Sequence, residues 1–265
     1  MIQRDVWDLP ELELVPAHML RAFSEHGGLV LNAYNGAGKP LGTSIGFLGT
    51  QGGRRILYSH ITGVLAKGRT KGVGLALKLE QRRYAIHKGL KLICWTYDPT
   101  QALNNWFNLN KIGAITRTYY INYYGKMNDS LNRGLDSDRL LAEWWVDSPR
   151  VAKRVDSKTK PSYEEHLDST IVNPTMERDG VRIPTGEPEL RTVETRLLLE
   201  IPNDYARLRK IDSHLLQKWR VQARKAYMFY FKHGYIATGL AIDRRPEPRS
   251  FVILERRSLT RILKS

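Results

Sequence analysis

An α/β protein built on a mixed sheet is the fold that the sequence predicts, and three observations predict it. Residues 29–65 read as three strands, GLVLNAY, LGTSIGFLG and RRILYSHITGVL, separated by NGAGK and TQGGR, which are rich in the Gly and Asn of tight hairpins. Residues 72–88 switch to a helical period and lead straight into LKLICWTY, an apolar run of the kind a strand covered on both faces carries. The tail repeats the plan, with TRLLLEIP, a helical stretch from about Asp204 to Lys232, then YIATGLAID and RSFVILER.

Taken in order, the chain opens with a helical stretch, PAHMLRAFSEHGG, ahead of the antiparallel meander. NGAGKPLGT resembles a phosphate loop, but Pro40 stands where that motif needs Ser or Thr and its first glycine is missing, so a hairpin turn is expected. On the helix of residues 72–88 the pattern places Leu75, Ala76, Leu79 and Ile86 on one side and Lys78, Gln81, Arg82 and Lys88 on a solvated side, with Gly89 as the C-terminal cap residue. LKLICWTY then runs parallel to the strand before the helix, giving a βαβ unit that Pro99 stops. A helix from about Thr100 to Lys111, closed by Gly113, is followed by the strand AITRTYYIN, the polar segment YYGKMNDSLNRGLDSD and the strand RLLAEWWV. Residues 147–194 break into Pro, Lys, Glu and Asp and read as a long surface connection with one short strand at GVRIP. The expected division is a core over 1–146, an irregular connection over 147–194, and a strand–helix–strand–strand extension over 195–265 that packs on the core. LNKIGAITRTYYI and FKHGYIATGLAID share the order helix end, glycine, β-rich run, so the extension is compatible with a degenerate half-repeat.

Composition bounds the function. In 265 residues, 42% hydrophobic and 26% charged, no apolar run approaches the roughly 18 to 20 residues of a membrane helix. The N-terminus mixes charges and prolines where a secretory signal needs an apolar core, so a cytoplasmic protein without a membrane partner is expected. The single cysteine, Cys94, excludes an internal disulfide and a multi-cysteine zinc site and reads as a small core residue; no metal motif is visible. The net charge of +15 is uneven, with 15 Lys or Arg against 5 Asp or Glu in residues 201–265. Nucleic acid is one partner this fits, but no nucleic-acid motif accompanies the charge, and a solvated helix face with pockets for phosphate-bearing ligands is favoured. Tyr227, Phe229, Tyr230 and Phe231 would be stacking platforms in the first case and core in the second.

Between a strand ending near Leu65 and a helix beginning near Gly72 lies a basic turn, AKGRTKG. Amides at a helix start lack intrahelical partners and lie at the positive end of the dipole, so such a turn is an anion site with phosphate as its natural guest. Gly72 and Gly74 let the backbone approach closely, and Arg69 and Lys71 add charge; the competing reading is a plain βα turn with a solvated basic rim. Arg69-Thr70-Lys71-Gly72-Val73-Gly74 fits the Arg/Gln-x-x-Gly-x-Gly/Ala pattern with which GNAT superfamily acyltransferases grip the pyrophosphate of coenzyme A. The order of elements from about Leu29 to Val146, including a second helix ending NLNKIGA, also resembles that superfamily. YSHITGV, WTYDP, NNWFNLNKIGA, SDRLLAEWW and QKWRVQARKAYMFYFKHGY further resemble a mostly uncharacterised branch of it, some of whose members are associated with N-succinylamino acid racemases as amino-acid N-succinyltransferases. The chain departs from the superfamily in two places: the usual first strand and much of the first helix are truncated or rebuilt, and Leu109 falls where many members use a tyrosine as general acid.

The resemblance implies a GNAT-like fold and an N-acyltransferase that takes acetyl-CoA or succinyl-CoA as co-substrate and a small-molecule amine, such as an amino acid, as acceptor. A catalytically silent GNAT fold binding coenzyme A or nucleic acid is the alternative, and a homodimer stays open. It further implies that backbone groups of Val64 and Leu65 bind pantetheine and the thioester oxygen, and that the loop Arg69, Thr70, Lys71, Gly72, Val73 and Gly74 holds the phosphates. From the residues themselves, period-two alternation puts Tyr58, His60 and Thr62 on one strand face. His60 has a pKa suited to taking a proton near neutrality and is the candidate base, directly or through water, against a structural histidine. Asn104 and Asn108, one helical turn apart, either contact the cofactor or cap and pack. Tyr97 and Tyr124 are the candidate acids, and Asn122–Arg139 the candidate wall of the acceptor site, against an ordinary hairpin loop.

Overall fold

Hairpin chemistry builds the first strands. In a computed structural model that describes residues 2–8, 11–127, 134–156, 166–191, 194–244 and 247–265, and leaves out the side chains of Arg69, Thr70 and Lys71, the chain forms two compact units. The first comprises Met1–Trp95 and Trp145–Asp147; the second comprises Thr96–Met127, Gly134–Trp144 and Ser148–Ser265. Two helices, α1 (Ile2–Trp7) and α2 (Ala17–Glu25), precede the meander β1 (Leu29–Tyr34), β2 (Pro40–Gln51) and β3 (Arg54–Val64), which pairs antiparallel in sequence order. In the first turn Asn35 Oδ1 accepts from the amides of Ala37 and Lys39 at 3.0 and 2.9 Å, so the asparagine closes a hairpin rather than a phosphate loop.

After a 3-10 turn over Ala66–Lys71 the chain enters α3 (Val73–His87) and returns as β4 (Leu92–Tyr97), parallel to β3. The sheet is therefore mixed and the fold α/β, as expected. Cys94 is fully buried in β4. The faces of α3 differ from the expectation. Val73, Leu77, Lys78, Gln81 and Ala85 are its buried residues, whereas Ile86 is 48% exposed. The buried stripe follows the i+4 row 73, 77, 81, 85, with Gln81 in it and Lys78 beside it, and these two long polar side chains are buried because the sheet beneath offers them hydroxyl partners.

In the second unit, α4 (Ala102–Asn105) widens into a π-helical turn over Trp106–Lys111 and is followed by β5 (Ile115–Tyr120) and β6 (Arg139–Trp145). Residues 147–194 are more regular than their composition suggests. They contain α5 (Pro149–Asp156) and the hairpin β7 (Thr175–Arg178) and β8 (Val181–Pro184). Arg150, 2% exposed, anchors α5 by donating to the carbonyls of Gly113 at 3.0 Å and of Thr238, so a buried guanidinium does the work of an apolar face. The tail supplies β9 (Arg196–Ile201), α6 (Tyr205–Ile211), α7 (Ser213–Lys232), β10 (Ile236–Asp243), β11 (Arg249–Glu255) and α8 (Leu259–Lys264). Where one helix was expected over 204–232 there are two, because Asp212 caps α7 by accepting from the His214 amide at 2.8 Å. The strands of this unit run β6-β5-β10-β11-β9, all antiparallel. Tyr227 and Tyr230 are fully buried, so these aromatics are core rather than an exposed stacking surface. Among the described residues no helix is long and apolar enough to cross a membrane.

Candidate functional site

The site is best built from β3. Ile45 of β2 faces Ile61 and Gly46 faces Ser59, so His60 is the extra residue of a β-bulge. One extra residue ends strict alternation. Tyr58 and His60 both lie against Phe47, at 5.3 and 6.0 Å between ring centroids, but Thr62 is on the opposite side, its Oγ1 2.7 Å from Ser44 Oγ and 3.4 Å from Ser59 Oγ. Thr62 therefore does not share the His60 face, contrary to the period-two expectation. His60 is exposed on one side and covered by Phe47 on the other; that desolvation lowers its pKa below the ordinary imidazole value, which keeps the ring neutral near pH 7.

The parallel ladder of β3 with β4 consists of Leu57↔Ile93 and Tyr58↔Cys94, and β3 continues past it to Val64. At the end of the strand the Leu65 amide donates to Leu41 O at 2.8 Å and the Leu65 carbonyl accepts from the Gly68 amide at 2.8 Å. Both backbone groups of Leu65 thus have partners within the fold. Trp7 of α1 packs on Gly63: a Cβ there would lie 2.2 Å from Trp7 Cη2, so only glycine leaves room for the indole. Trp7 carried no motif and was missed by sequence reasoning.

The 3-10 turn hands over to α3 through Gly72, whose φ of 74° and ψ of 7° are left-handed. The first intrahelical bond of α3 runs from the Ala76 amide to Gly72 O at 3.0 Å, so the amides of Val73, Gly74 and Leu75 precede the helical ladder and form the N-terminal turn. Replacing Gly72 by alanine is expected to cost about 1–2 kcal/mol, read as a lowered denaturant midpoint, because a Cβ strains a left-handed residue. Deeper in α3 lies a polar cluster. Lys78 is 4% exposed; its Nζ donates to Ser59 Oγ at 3.0 Å and sits 3.6 Å from the centroid of the Trp95 ring. Gln81 Nε2 donates to Ser44 Oγ at 2.7 Å and to Ser59 Oγ at 2.8 Å. Burial pushes the Lys78 pKa down to about 7.

In the second unit, Tyr97 is buried and its hydroxyl donates to Asn105 Oδ1 at 3.2 Å, while burial raises its pKa far above the phenol range. Tyr97 is a packing residue, not the proton donor expected. Tyr124 is 42% exposed, with its hydroxyl 2.8 Å from Thr96 Oγ1 and the Arg139 guanidinium 5.3 Å over its ring. Asn104 Nδ2 donates to Gln101 Oε1 at 3.0 Å, Asn108 is buried, and Leu109 is fully buried in the core. In the Asn122–Arg139 segment, residues 128–133 lie outside the described residues. The flanks are tied down: the Asn122 amide donates to Asp138 Oδ1 at 2.9 Å, and Ser137 Oγ donates to Gly125 O at 2.8 Å.

No family model matches the chain, and no curated protein matches it. Among solved structures it is similar to an acetyltransferase from Bacillus cereus ATCC 14579, at 22% identity over 44% of this chain and 71% of that one, with a TM-score of 0.32. It is similar to the NatB acetyltransferase complex bound to a bisubstrate inhibitor, at 17% identity over 54% and 82% of the two chains, with a TM-score of 0.43. A third is the IAA acetyltransferase from Bacillus cereus ATCC 14579, at 14% identity over 48% and 83%, with a TM-score of 0.37. Each similarity spans about half of this chain, and all three proteins are described as acetyltransferases.

Proposed function

We propose that the chain is a GNAT-type N-acyltransferase that moves an acyl group from coenzyme A to the amino group of a small molecule such as an amino acid. One observation carries the reading: a left-handed Gly72 opens α3 at the end of β3, beyond the point where β3 and β4 stop pairing. That arrangement offers helix-start amides to a pyrophosphate, at the end of a strand along which an extended chain could lie. In this reading the backbone of Lys71, Gly72, Val73 and Gly74 holds the phosphates, Arg69 and Lys71 add charge, and Val64 borders the pantetheine.

Coenzyme A supplies the thioester when bound. The amine nitrogen attacks the thioester carbon, the C–N bond forms, the C–S bond breaks, and the thiolate leaves and takes up a proton. His60 accepts the proton that the amine nitrogen loses, directly or through water. Its lowered pKa favours the unprotonated ring that this role needs.

Coenzyme A at millimolar concentration is expected to raise the melting temperature by several degrees, since a ligand at about 100 times its Kd stabilises by roughly 2.7 kcal/mol. No shift would overturn the reading. The fully buried Leu109 favours a second one, a silent fold that binds coenzyme A without turning it over. A shift without thiol release from acetyl-CoA or succinyl-CoA, across a panel of D- and L-amino acids, would select it.

A further inference from the structure

The basic tail forms a cleft that the acyltransferase chemistry does not use. A cavity of about 320 Å³ lies wholly within the second unit, between the start of β8, the end of β9, α6 and the entry to β11. Buried Leu208 and Trp219 line its base, and Arg182, Arg207 and Arg249 line its walls. Local sequence brings two of these arginines together. Asp179 and Gly180, with φ of 53° and 71°, make the two-residue turn of the β7–β8 hairpin, which delivers Arg182. A Cβ on Gly180 would lie 3.8 Å from Arg207 Nη2, so the guanidinium of α6 rests beside that turn.

Two of the three arginines share one counter-charge. Glu200, 1% exposed, accepts from Arg249 Nε at 2.9 Å and Nη2 at 2.7 Å, and its Oε1 stands 3.6 Å from Arg182 Nε. Two guanidiniums on one carboxylate leave a positive charge in excess. Arg182 Nη1 donates to Thr175 Oγ1 at 3.1 Å, and among the described residues Arg182 Nη2 and Arg249 Nη1 keep no partner. The Arg207 guanidinium pairs with no carboxylate among the described residues; only its backbone amide is engaged, donating to Asp204 Oδ1 at 2.9 Å. Asp204 and Glu247 also line the cavity, but both are exposed, and water screens them. Deeper down, the Trp219 indole Nε1 is buried without a hydrogen-bond partner among the described residues. The cleft is thus rich in donors and short of acceptors, which is the complement of an oxyanion.

The arrangement favours one kind of anion. Guanidiniums that reach the same space from three elements suit a tetrahedral oxyanion, whereas a planar carboxylate is satisfied by a single fork, as Glu200 is by Arg249. A phosphate monoester carries close to two negative charges at neutrality, enough to offset Arg207 and the excess beside Glu200. The volume is that of a small-molecule site, and the carboxylates at the rim would repel a long polyanion crossing it. We propose that this cleft is a second ligand site, which binds the phosphate group of a small phosphate monoester through Arg207, Arg182 and Arg249. It does not depend on the acyltransferase reading.

The test is calorimetric titration of the full chain, at matched ionic strength, with phenyl phosphate, inorganic phosphate and benzoate, in the wild type and in Arg207→Gln. Arg207 is exposed and its side chain holds no other element, so R207Q should keep the wild-type unfolding curve. The wild type is expected to bind phenyl phosphate, and R207Q to bind it about 10- to 100-fold more weakly, the value of a hydrogen bond to a charged group. Inorganic phosphate should show the same loss, and benzoate should bind more weakly than phenyl phosphate. The proposal is overturned if neither phosphate binds at millimolar concentration, or if benzoate binds as tightly as phenyl phosphate. Equal affinity in R207Q and the wild type would also overturn it, by placing the anion elsewhere, as at the Gly72 turn.

Discussion

Replacing Arg220 by methionine is expected to destabilise the protein by about 3–5 kcal/mol, because it leaves Asp98 as a buried charge without its partner. The Arg220 side chain is 0% exposed and that of Asp98 4%. One guanidinium nitrogen donates to Asp98 Oδ2 and the other to Asp136 O, so the single side chain of α7 satisfies both the carboxylate that follows β4 and a carbonyl ahead of β6. Asp98 Oδ1 is used as well, accepting from the Thr100 amide at 2.8 Å and from its hydroxyl at 2.6 Å, so the carboxylate cannot turn to water when its partner is removed. The loss is largest at neutral pH. A stranded buried carboxylate costs most in its charged form. Urea midpoints across pH 4 to 8 test this, and the double replacement D98N/R220M should lose less than R220M alone, since no charge is then stranded. Equal losses in the two variants would show that packing volume, not the charge, governs the site.

That pair also marks where the sequence stopped being legible. Asp98 stands in WTYDP, at the end of a strand readable from its apolar run, but its partner lies 122 residues away on α7, and no local period reports such a contact. Elements fixed by local chemistry were readable: the Asn35 turn, the glycines of the second hairpin, the left-handed Gly72 and the cap at Gly89 each leave a residue type in the sequence that few others can replace. The bulge at His60 was not, because one added residue in RRILYSHITGVL does not disturb its apolar content, although it reverses the face of Thr62. The orientation of α3 was missed for a related reason. Val73, Leu77 and Ala85 mark the buried i+4 row, but Lys78 and Gln81 share that face, and ranking faces by hydrophobicity sent both to solvent. The break before α7 had a usable signal in Asp212-Ser213, the residue types that start helices, whereas α5 hid its buried Arg150 among surface charges.

His60→Ala is expected to lower kcat/KM by about 10² to 10⁴-fold if the imidazole takes the proton of the acceptor amine. A structural histidine on a bulge could also weaken turnover when removed, so the pH profile is the discriminating measurement. The acceptor amine must itself be neutral, which imposes one slope on the acid side of the wild-type profile. His60 as base adds a second. Because cover by Phe47 lowers the His60 pKa, this steepening should begin below the ordinary imidazole value, near 6.5, and not above it. Two variants then move in different directions: H60A loses the second slope altogether, and Phe47→Ala, which restores water to the covered side of the ring, shifts its onset upward toward the ordinary value. A profile in H60A with the wild-type rate and both slopes at every pH would remove His60 from the reaction. The geometry gives a reason to expect otherwise, since the bulge makes His60 the residue of β3 with no counterpart on β2, and Phe47 holds its ring on the face away from the Ser59–Lys78 cluster.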